Sequence, residues 1–152
     1  MGRLDSCLHE AAHSVVRQLV IGDLGEVGIK KRRAYSYPVE RRPLDGLDAD
    51  TLAKIVVIVE AGIVAERTLC SGIGNESLLE YAISDDVRQR EGIQRIASFS
   101  DEQMATFAQE AAELVRGHET VIRKVATELN RRNKLTGEQV FRLIEKYPPR
   151  YP

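Results

Sequence analysis

The spacing of apolar residues along the chain predicts a mainly helical protein. Apolar residues recur every three or four positions over residues 4–21, which predicts a first helix that Gly22 ends. Residues 49–69 form a second helical segment, and its middle is almost wholly apolar, as is typical of a buried central helix. Asp48 or Asp50 can cap the start of this helix.

Helix signals return in the second half of the chain. Ser84 is predicted to cap a third helix, whereas the preceding residues 76–82 are ambiguous and residues 71–75 read as a loop. Capping boxes begin at Ser100 and Thr136, and each opens a further helix. These later helices are predicted over residues 84–97, over residues 100–132 with a bend or break at Gly117, and over residues 136–146.

Two short segments near the N-terminal third favour a strand conformation. Residues 26–31 and 34–39 flank Arg32 and Arg33, and they are predicted to pair as a small hairpin. The predicted fold class is therefore mainly α with a small β-hairpin or sheet near the N-terminal third. We expect one domain over residues 1–147, followed by a loose tail over residues 148–152.

Composition and charge narrow the class of protein. The chain has 152 residues and 22 Lys and Arg against 23 Asp and Glu, for a net charge of -1, so nothing favours nucleic acid as a partner. Two cysteines are too few for a disulfide scaffold and favour a reducing compartment, so we expect a cytoplasmic protein. No apolar run reaches the length of a membrane span, and charged residues within the first twenty positions argue against a secretory signal.

The first predicted helix carries a metal-binding motif, His9-Glu10-Ala11-Ala12-His13. Histidines four residues apart leave the same face of a helix one turn apart, as two ligands of one zinc ion require. Glu10 would lie beside the metal, where it can take a proton from a zinc-bound water. The alternatives are a chance pairing on a solvated helix and a metal site that performs no chemistry.

A catalytic zinc ion needs a third protein ligand, and the motif does not name it. By spacing and residue type alone, several acidic, histidine and cysteine side chains are candidates for this third ligand. The candidates are Glu60, Glu66, Asp85, Asp86, His118, Cys7 and Cys70.

Four separated segments resemble, in the same order, the peptidase domain of the FtsH family of membrane-bound, ATP-dependent zinc proteases. Residues 9–16, HEAAHSVV, resemble the family's H-E-A-G-H-A-h-V helix, where h is apolar, and residues 61–67, AGIVAER, resemble its G-G-R-x-A-E-E helix. Residues 83–89, ISDDVRQ, resemble its A-S-N-D-L-x-x-A segment. Residues 130–144, which contain LTGE, resemble its closing L-x-G-x-E helix.

The resemblance implies a role for each matching position. His9 and His13 match the two zinc-ligating histidines, and Glu10 matches the catalytic glutamate. Asp86 matches the family's third zinc ligand. Glu66 matches a glutamate near the metal, which we expect to orient a ligand histidine through its other ring nitrogen. Asp85 stands where the family has asparagine, and it adds a negative charge beside the ligand. The alternative is that Asp85 and Asp86 are acidic residues at the start of a helix, where the helix dipole favours negative charge.

The chain also departs from the family. It has no G-x-x-x-x-G-K-[ST] phosphate loop and no membrane-spanning segment, and Ala12 replaces the motif glycine. We therefore expect a zinc-dependent metalloendopeptidase that acts on polypeptides, alone or as a homo-oligomer, with any ATPase supplied by a separate partner. The alternatives are a catalytically silent regulatory module that binds metal or peptide, and the peptidase fragment of a longer ATP-dependent protease.

The predicted hairpin suggests how a substrate would bind. An exposed strand edge near a zinc cleft can receive an extended peptide by strand addition. Four arginines flank the hairpin and would favour acidic substrates, although a solvated basic loop explains them equally well. They are Arg32, Arg33, Arg41 and Arg42.

Overall fold

The computed structural model describes the backbone of residues 2–30, 33–40, 42–70 and 76–151, and their side chains apart from those of residues 33 and 76–84. Within these ranges the chain folds into six α-helices and a three-stranded antiparallel sheet, so the predicted fold class is confirmed. In chain order the elements are α1 (Arg3–Val20), β1 (Val27–Lys30), β2 (Arg33–Ser36), a 3-10 turn (Leu44–Gly46), α2 (Ala49–Thr68), α3 (Glu76–Ala97), α4 (Asp101–Gly117), α5 (Glu119–Arg132), β3 (Lys134–Leu135) and α6 (Gly137–Lys146).

Local capping chemistry sets three of the six described helix starts where the sequence predicted them. The Asp48 carboxylate accepts a hydrogen bond from the Thr51 backbone N–H, which makes Asp48 the cap of α2. Complete capping boxes begin at Ser100 and Thr136, at the starts of α4 and α6. The predicted break at Gly117 is also confirmed, because α4 ends there.

One local prediction was wrong, and one short strand was not predicted. Ser84 does not cap a helix, because α3 begins at Glu76 and residue 84 lies within it. The reason is visible in the sequence, since apolar residues at positions 78, 79, 82 and 83 continue the helical spacing upstream of Ser84. The sequence also did not predict β3, a two-residue strand whose Leu135 pairs with Val27 of β1. The predicted loop over residues 71–75 lies outside the described residues.

The motif helix α1 lies in the middle of the hydrophobic core. It packs against α2 on one side and α5 on another, and its apolar residues Ala11, Val15 and Val16 are fully buried. His9 and His13 are also buried, at 4% and 8% exposure. None of the helices in the described parts of the chain is long and apolar enough to cross a membrane.

The small sheet places an open strand edge beside α1. Its strand order is β2-β1-β3, so β1 is central and the outer side of β2 is an edge. β1 and β2 pair in antiparallel register, with Val27 opposite Ser36 and Lys30 opposite Arg33. β2 also packs against α1, which brings this edge next to the histidine motif.

The chain end returns to the body of the domain. The Arg150 backbone N–H donates a hydrogen bond to the Gly117 carbonyl oxygen at 2.9 Å. The Tyr151 ring packs edge-on against the His118 ring, with centroids 5.8 Å apart. Residues 150 and 151 thus contact the junction between α4 and α5.

Candidate metal centre

Side chains from two distant helices converge on one point beside α1. The Nε2 atoms of His9 and His13 lie 2.9 Å apart. Asp86, from α3, places its Oδ2 3.1 Å from His9 Nε2 and 3.3 Å from His13 Nε2. The structure thus brings together the three residues that the sequence predicted as metal ligands.

The size and chemistry of this triangle fit a tetrahedral zinc ion. Bond lengths of about 2.0–2.2 Å at tetrahedral angles separate ligand atoms by about 3.3–3.6 Å. The observed separations of 2.9, 3.1 and 3.3 Å are slightly smaller, so a small opening of the triangle would admit the ion. Asp86 Oδ2 is buried without a well-aligned hydrogen bond among the described residues, and a cation would satisfy it.

Hydrogen-bond acceptors on α2 face the second nitrogen of each ring. His13 Nδ1 lies 2.7 Å from the Ile58 carbonyl oxygen, to which it donates. His9 Nδ1 lies 2.5 Å from Glu66 Oε1, although the ring N–H is not aligned well enough for a regular hydrogen bond. Both contacts favour a proton on Nδ1, which leaves the Nε2 lone pairs free for a metal. Glu66 therefore lies beside His9, the position that the family resemblance implies for it.

Gly62 of α2 makes room for both rings. A Cβ atom built at this position would lie 2.3 Å from Cε1 and from Nε2 of His13, and 3.0 Å from Cε1 of His9. These separations are far shorter than a van der Waals contact, so any larger residue must displace the His13 ring. The close approach of α1 and α2 at the candidate metal centre thus requires glycine.

Glu10 lies beside the triangle and is not part of it. Its Oε1 is 3.9 Å from His9 Nε2, farther than Asp86, and the side chain is 18% exposed in an open cleft. One potential metal-ligand atom from each of Glu10, His9 and His13 lies within 4.8 Å of the other two. Burial raises the pKa of the Glu10 carboxyl, and the two imidazoles oppose that rise. A partly buried carboxylate at this distance is suited to hold and move a proton.

The electrostatics of the centre favour positive charge. Burial disfavours a charged His9, but the carboxylates of Asp86 and Glu66 outweigh it and raise the pKa of His9 well above its ordinary value. Burial likewise disfavours a charged Asp86, yet the neighbouring imidazoles hold the pKa of Asp86 below its usual range. Carboxylates therefore surround the two rings with negative charge, which a bound cation would offset.

A buried ion pair ties α3, which carries Asp86, to α2. Arg90 lies one turn after Asp86, and its Nη1 is 2.7 Å from Glu60 Oε1. Glu60 was a candidate metal ligand in the sequence, but its carboxylate forms an ion pair with Arg90. The adjacent Asp85 is exposed at the rim of the cleft.

Replacing Glu60 with glutamine should destabilise the protein and weaken metal binding. The change leaves the Arg90 charge unpaired, and we expect a loss of about 2–3 kcal/mol in the free energy of unfolding, because Arg90 keeps some solvent contact. Urea unfolding in the presence of a chelator measures this loss without a contribution from metal. Glu119→Gln is the control, since its pair with Arg123 is about half exposed and should contribute at most about 0.5 kcal/mol. Equal midpoints for the two variants would contradict the prediction.

The remaining candidate ligands lie elsewhere. His118 is buried at the junction of α4 and α5, where its Nδ1 donates to the Leu114 carbonyl oxygen at 2.8 Å. Burial raises the pKa of Cys7 to about 11 and that of Cys70 to about 12, so both thiols stay protonated at neutral pH. Cys70 donates weakly to the Asp5 carbonyl oxygen at 3.6 Å. These contacts account for the three residues without a metal.

The centre opens into a cleft of about 1120 Å³ between α1, the β2 edge and α3. Glu10, His13 and Asp86 line this cleft, together with apolar side chains including Ile21, Leu24, Val39 and Ile55. The candidate ligands thus face an open cleft lined partly by apolar side chains, an arrangement expected of a ligand-binding site.

Arg17 is one of several polar residues of the cleft that the sequence analysis did not identify. It lies on the same face of α1 as His9 and His13, because it follows them by eight and four residues. That spacing is the signal in the sequence that places Arg17 beside the motif, whereas the arginines predicted to favour acidic substrates lie in or next to the hairpin. Among those, Arg42 pairs with Glu40 at 2.9 Å on the exposed rim, while residues 32 and 41 and the side chain of residue 33 lie outside the described part of the structure.

Comparison with known proteins does not place the chain in a family. No protein-family model matches it, and no curated protein matches it.

Proposed function

We propose that this protein is a zinc-dependent peptidase that hydrolyses peptide bonds in unfolded polypeptides. The observation that carries the proposal is the convergence of His9, His13 and Asp86 on one point, with Glu10 beside it in an open cleft. A structural zinc site would be closed by a fourth protein ligand, whereas three ligands and a free cleft are typical of a catalytic one.

Each residue of the centre has a distinct part in this reaction. His9, His13 and Asp86 would bind zinc, which when bound lowers the pKa of water to about 7 and polarises a carbonyl group. Glu66 and the Ile58 carbonyl oxygen hold the rings in the required tautomer. Glu10 Oε1 would accept a proton from the attacking water and pass it to the nitrogen of the leaving amine.

The edge of β2 supports a peptide as the substrate. An extended chain that pairs with this edge would run along the cleft past Glu10, and its backbone groups would hydrogen-bond to the outward-facing N–H and C=O groups of the strand. The apolar side chains that line the cleft would contact alternate side chains of that peptide. The endopeptidase specificity predicted from the sequence fits an edge open to a passing chain.

The ordered resemblance to the FtsH peptidase domain supports the same reaction. The four matching segments contain His9, Glu10, His13, Glu66 and Asp86 of the candidate metal centre. Following that resemblance, we propose that unfolding is performed by a separate ATPase or by another part of a longer chain, and that copies of this chain associate. The free cysteines Cys7 and Cys70 favour a reducing compartment, and we propose the cytoplasm.

The direct test is cleavage of an unfolded protein under control of the metal. Protein loaded with zinc should release fragments from fluorescein-labelled casein, a chelator should stop the release, and zinc added in excess of the chelator should restore it. Zinc bound at the centre without any cleavage of several unfolded proteins would contradict the proposal. It would favour the silent metal-binding module instead.

A further inference from the structure

Arg17 is the one cation inside the cleft that has no carboxylate within ion-pair distance among the residues whose side chains are described. The other arginine lining the cleft, Arg42, is about two-thirds exposed and already pairs with Glu40. The negative charges of Asp23 and Glu10 act on Arg17 and oppose the effect of burial, which lowers its pKa. Asp23, however, uses its carboxylate to accept hydrogen bonds from the Gly25 and Val39 backbone N–H groups.

Among the residues whose side chains are described, the Arg17 guanidinium makes one hydrogen bond. Its Nη1 donates to the Ser36 Oγ of the edge strand β2, so the side chain bridges the metal-binding helix and the strand. A guanidinium has five N–H donors in a fixed planar fork, and this one bond leaves most of them for a ligand. Arginine in that arrangement is the side chain best matched to a carboxylate, which it binds through two parallel hydrogen bonds.

The position of Arg17 defines where on a substrate that carboxylate would lie. Arg17 is one turn beyond His13, a rise of about 6 Å along the helix. Helical side chains tilt toward the helix N-terminus, so the guanidinium lies back toward Glu10. An extended peptide advances about 3.3 Å per residue, so a bound carboxylate would lie about one to three residues from the cleaved bond.

We propose that Arg17 binds a carboxylate of the peptide substrate close to the scissile bond. This inference rests on the proposed peptidase function and adds a substrate class to it. The carboxylate has two sources, the C-terminus of the peptide or an internal Asp or Glu side chain. The first would make the protein release short C-terminal fragments, and the second would direct cleavage near acidic residues.

The test measures binding, so that it does not depend on cleavage. One fluorescent octapeptide without other charges is prepared with a free C-terminus, as the C-terminal amide, and as the amide with an internal Asp or Asn. Fluorescence anisotropy is recorded with the zinc-loaded Glu10→Gln protein. We expect the free-acid form or the Asp form to bind about tenfold more tightly than its uncharged counterpart, as a charge-assisted hydrogen bond would give.

Three further substitutions distinguish recognition of the carboxylate by Arg17 from a purely structural role of its bond to Ser36. In Arg17→Met, combined with Glu10→Gln, the preference for the carboxylate should disappear, while Arg17→Lys should keep part of it. Ser36→Ala removes the tether but leaves the charge, so the preference should persist. The proposal is overturned if the parent protein shows no preference, if no peptide binds up to 1 mM, or if the preference survives Arg17→Met. Cleavage of casein without any carboxylate preference would remove the role of Arg17 and leave the peptidase function intact.

Discussion

Replacing Glu10 with glutamine should lower kcat for peptide cleavage by about 100- to 10,000-fold while zinc remains bound. Glutamine keeps the size and most contacts of the side chain but can no longer accept a proton. Because Glu10 Oε1 is 3.9 Å from His9 Nε2, beyond the triangle of metal ligands, its loss should leave the metal affinity nearly unchanged. Initial rates on a fluorogenic peptide, with zinc content measured on the same samples, separate the two effects.

Glu110→Gln is a suitable control for that experiment. Glu110 is exposed on α4, away from the cleft, and its substitution removes the same charge from the protein. We expect wild-type rates and wild-type zinc content. If Glu10→Gln cleaved as fast as Glu110→Gln, Glu10 would have no part in proton transfer.

Replacing Gly62 with alanine should destroy the candidate metal centre without removing a ligand. The new methyl group would overlap Cε1 and Nε2 of His13, so the ring must turn away from His9 and Asp86. Loss of supporting interactions around a metal typically costs 10- to 100-fold in affinity, and a displaced ligand should cost at least about 100-fold. Competition for zinc against a chromophoric chelator measures the change.

Gly92 provides the matched control for Gly62. It is also a helical glycine, within α3, but a Cβ atom there would meet nothing within 4 Å. Gly92→Ala should therefore bind zinc normally and raise stability by up to about 1 kcal/mol, since alanine favours a helix. Equal zinc affinities for the two variants would show that the α1–α2 contact does not position His13.

Features fixed by neighbouring residues were predictable from the sequence. The capping boxes at Ser100 and Thr136 and the break at Gly117 depend on hydrogen bonds and backbone freedom within a few residues. The motif histidines share a face because of their spacing alone. Ser84 shows the limit of this reasoning, because a good capping residue also lies inside helices when the apolar spacing continues on both sides.

Features that depend on distant contacts were not predictable in the same way. Spacing could not select Asp86 from the other acids, and only the resemblance to a family did so; its distance from the histidines is set by the packing of α3 against α2. The pairing of β3 with β1 joins residues from opposite ends of the chain. The need for glycine at position 62 is a property of the α1–α2 contact, so α2 taken alone does not reveal it.

The central claim is that His9, His13 and Asp86 together bind zinc, and the zinc content of matched variants tests it most directly. Protein stripped with a chelator, reloaded with zinc and dialysed would be analysed as wild type, Asp86→Ala and Asp85→Ala. We predict about one zinc ion per chain for wild type and for Asp85→Ala, whose side chain is exposed at the rim, and little or none for Asp86→Ala. A wild-type protein without zinc, or an Asp86→Ala variant that keeps a full equivalent, would contradict the claim.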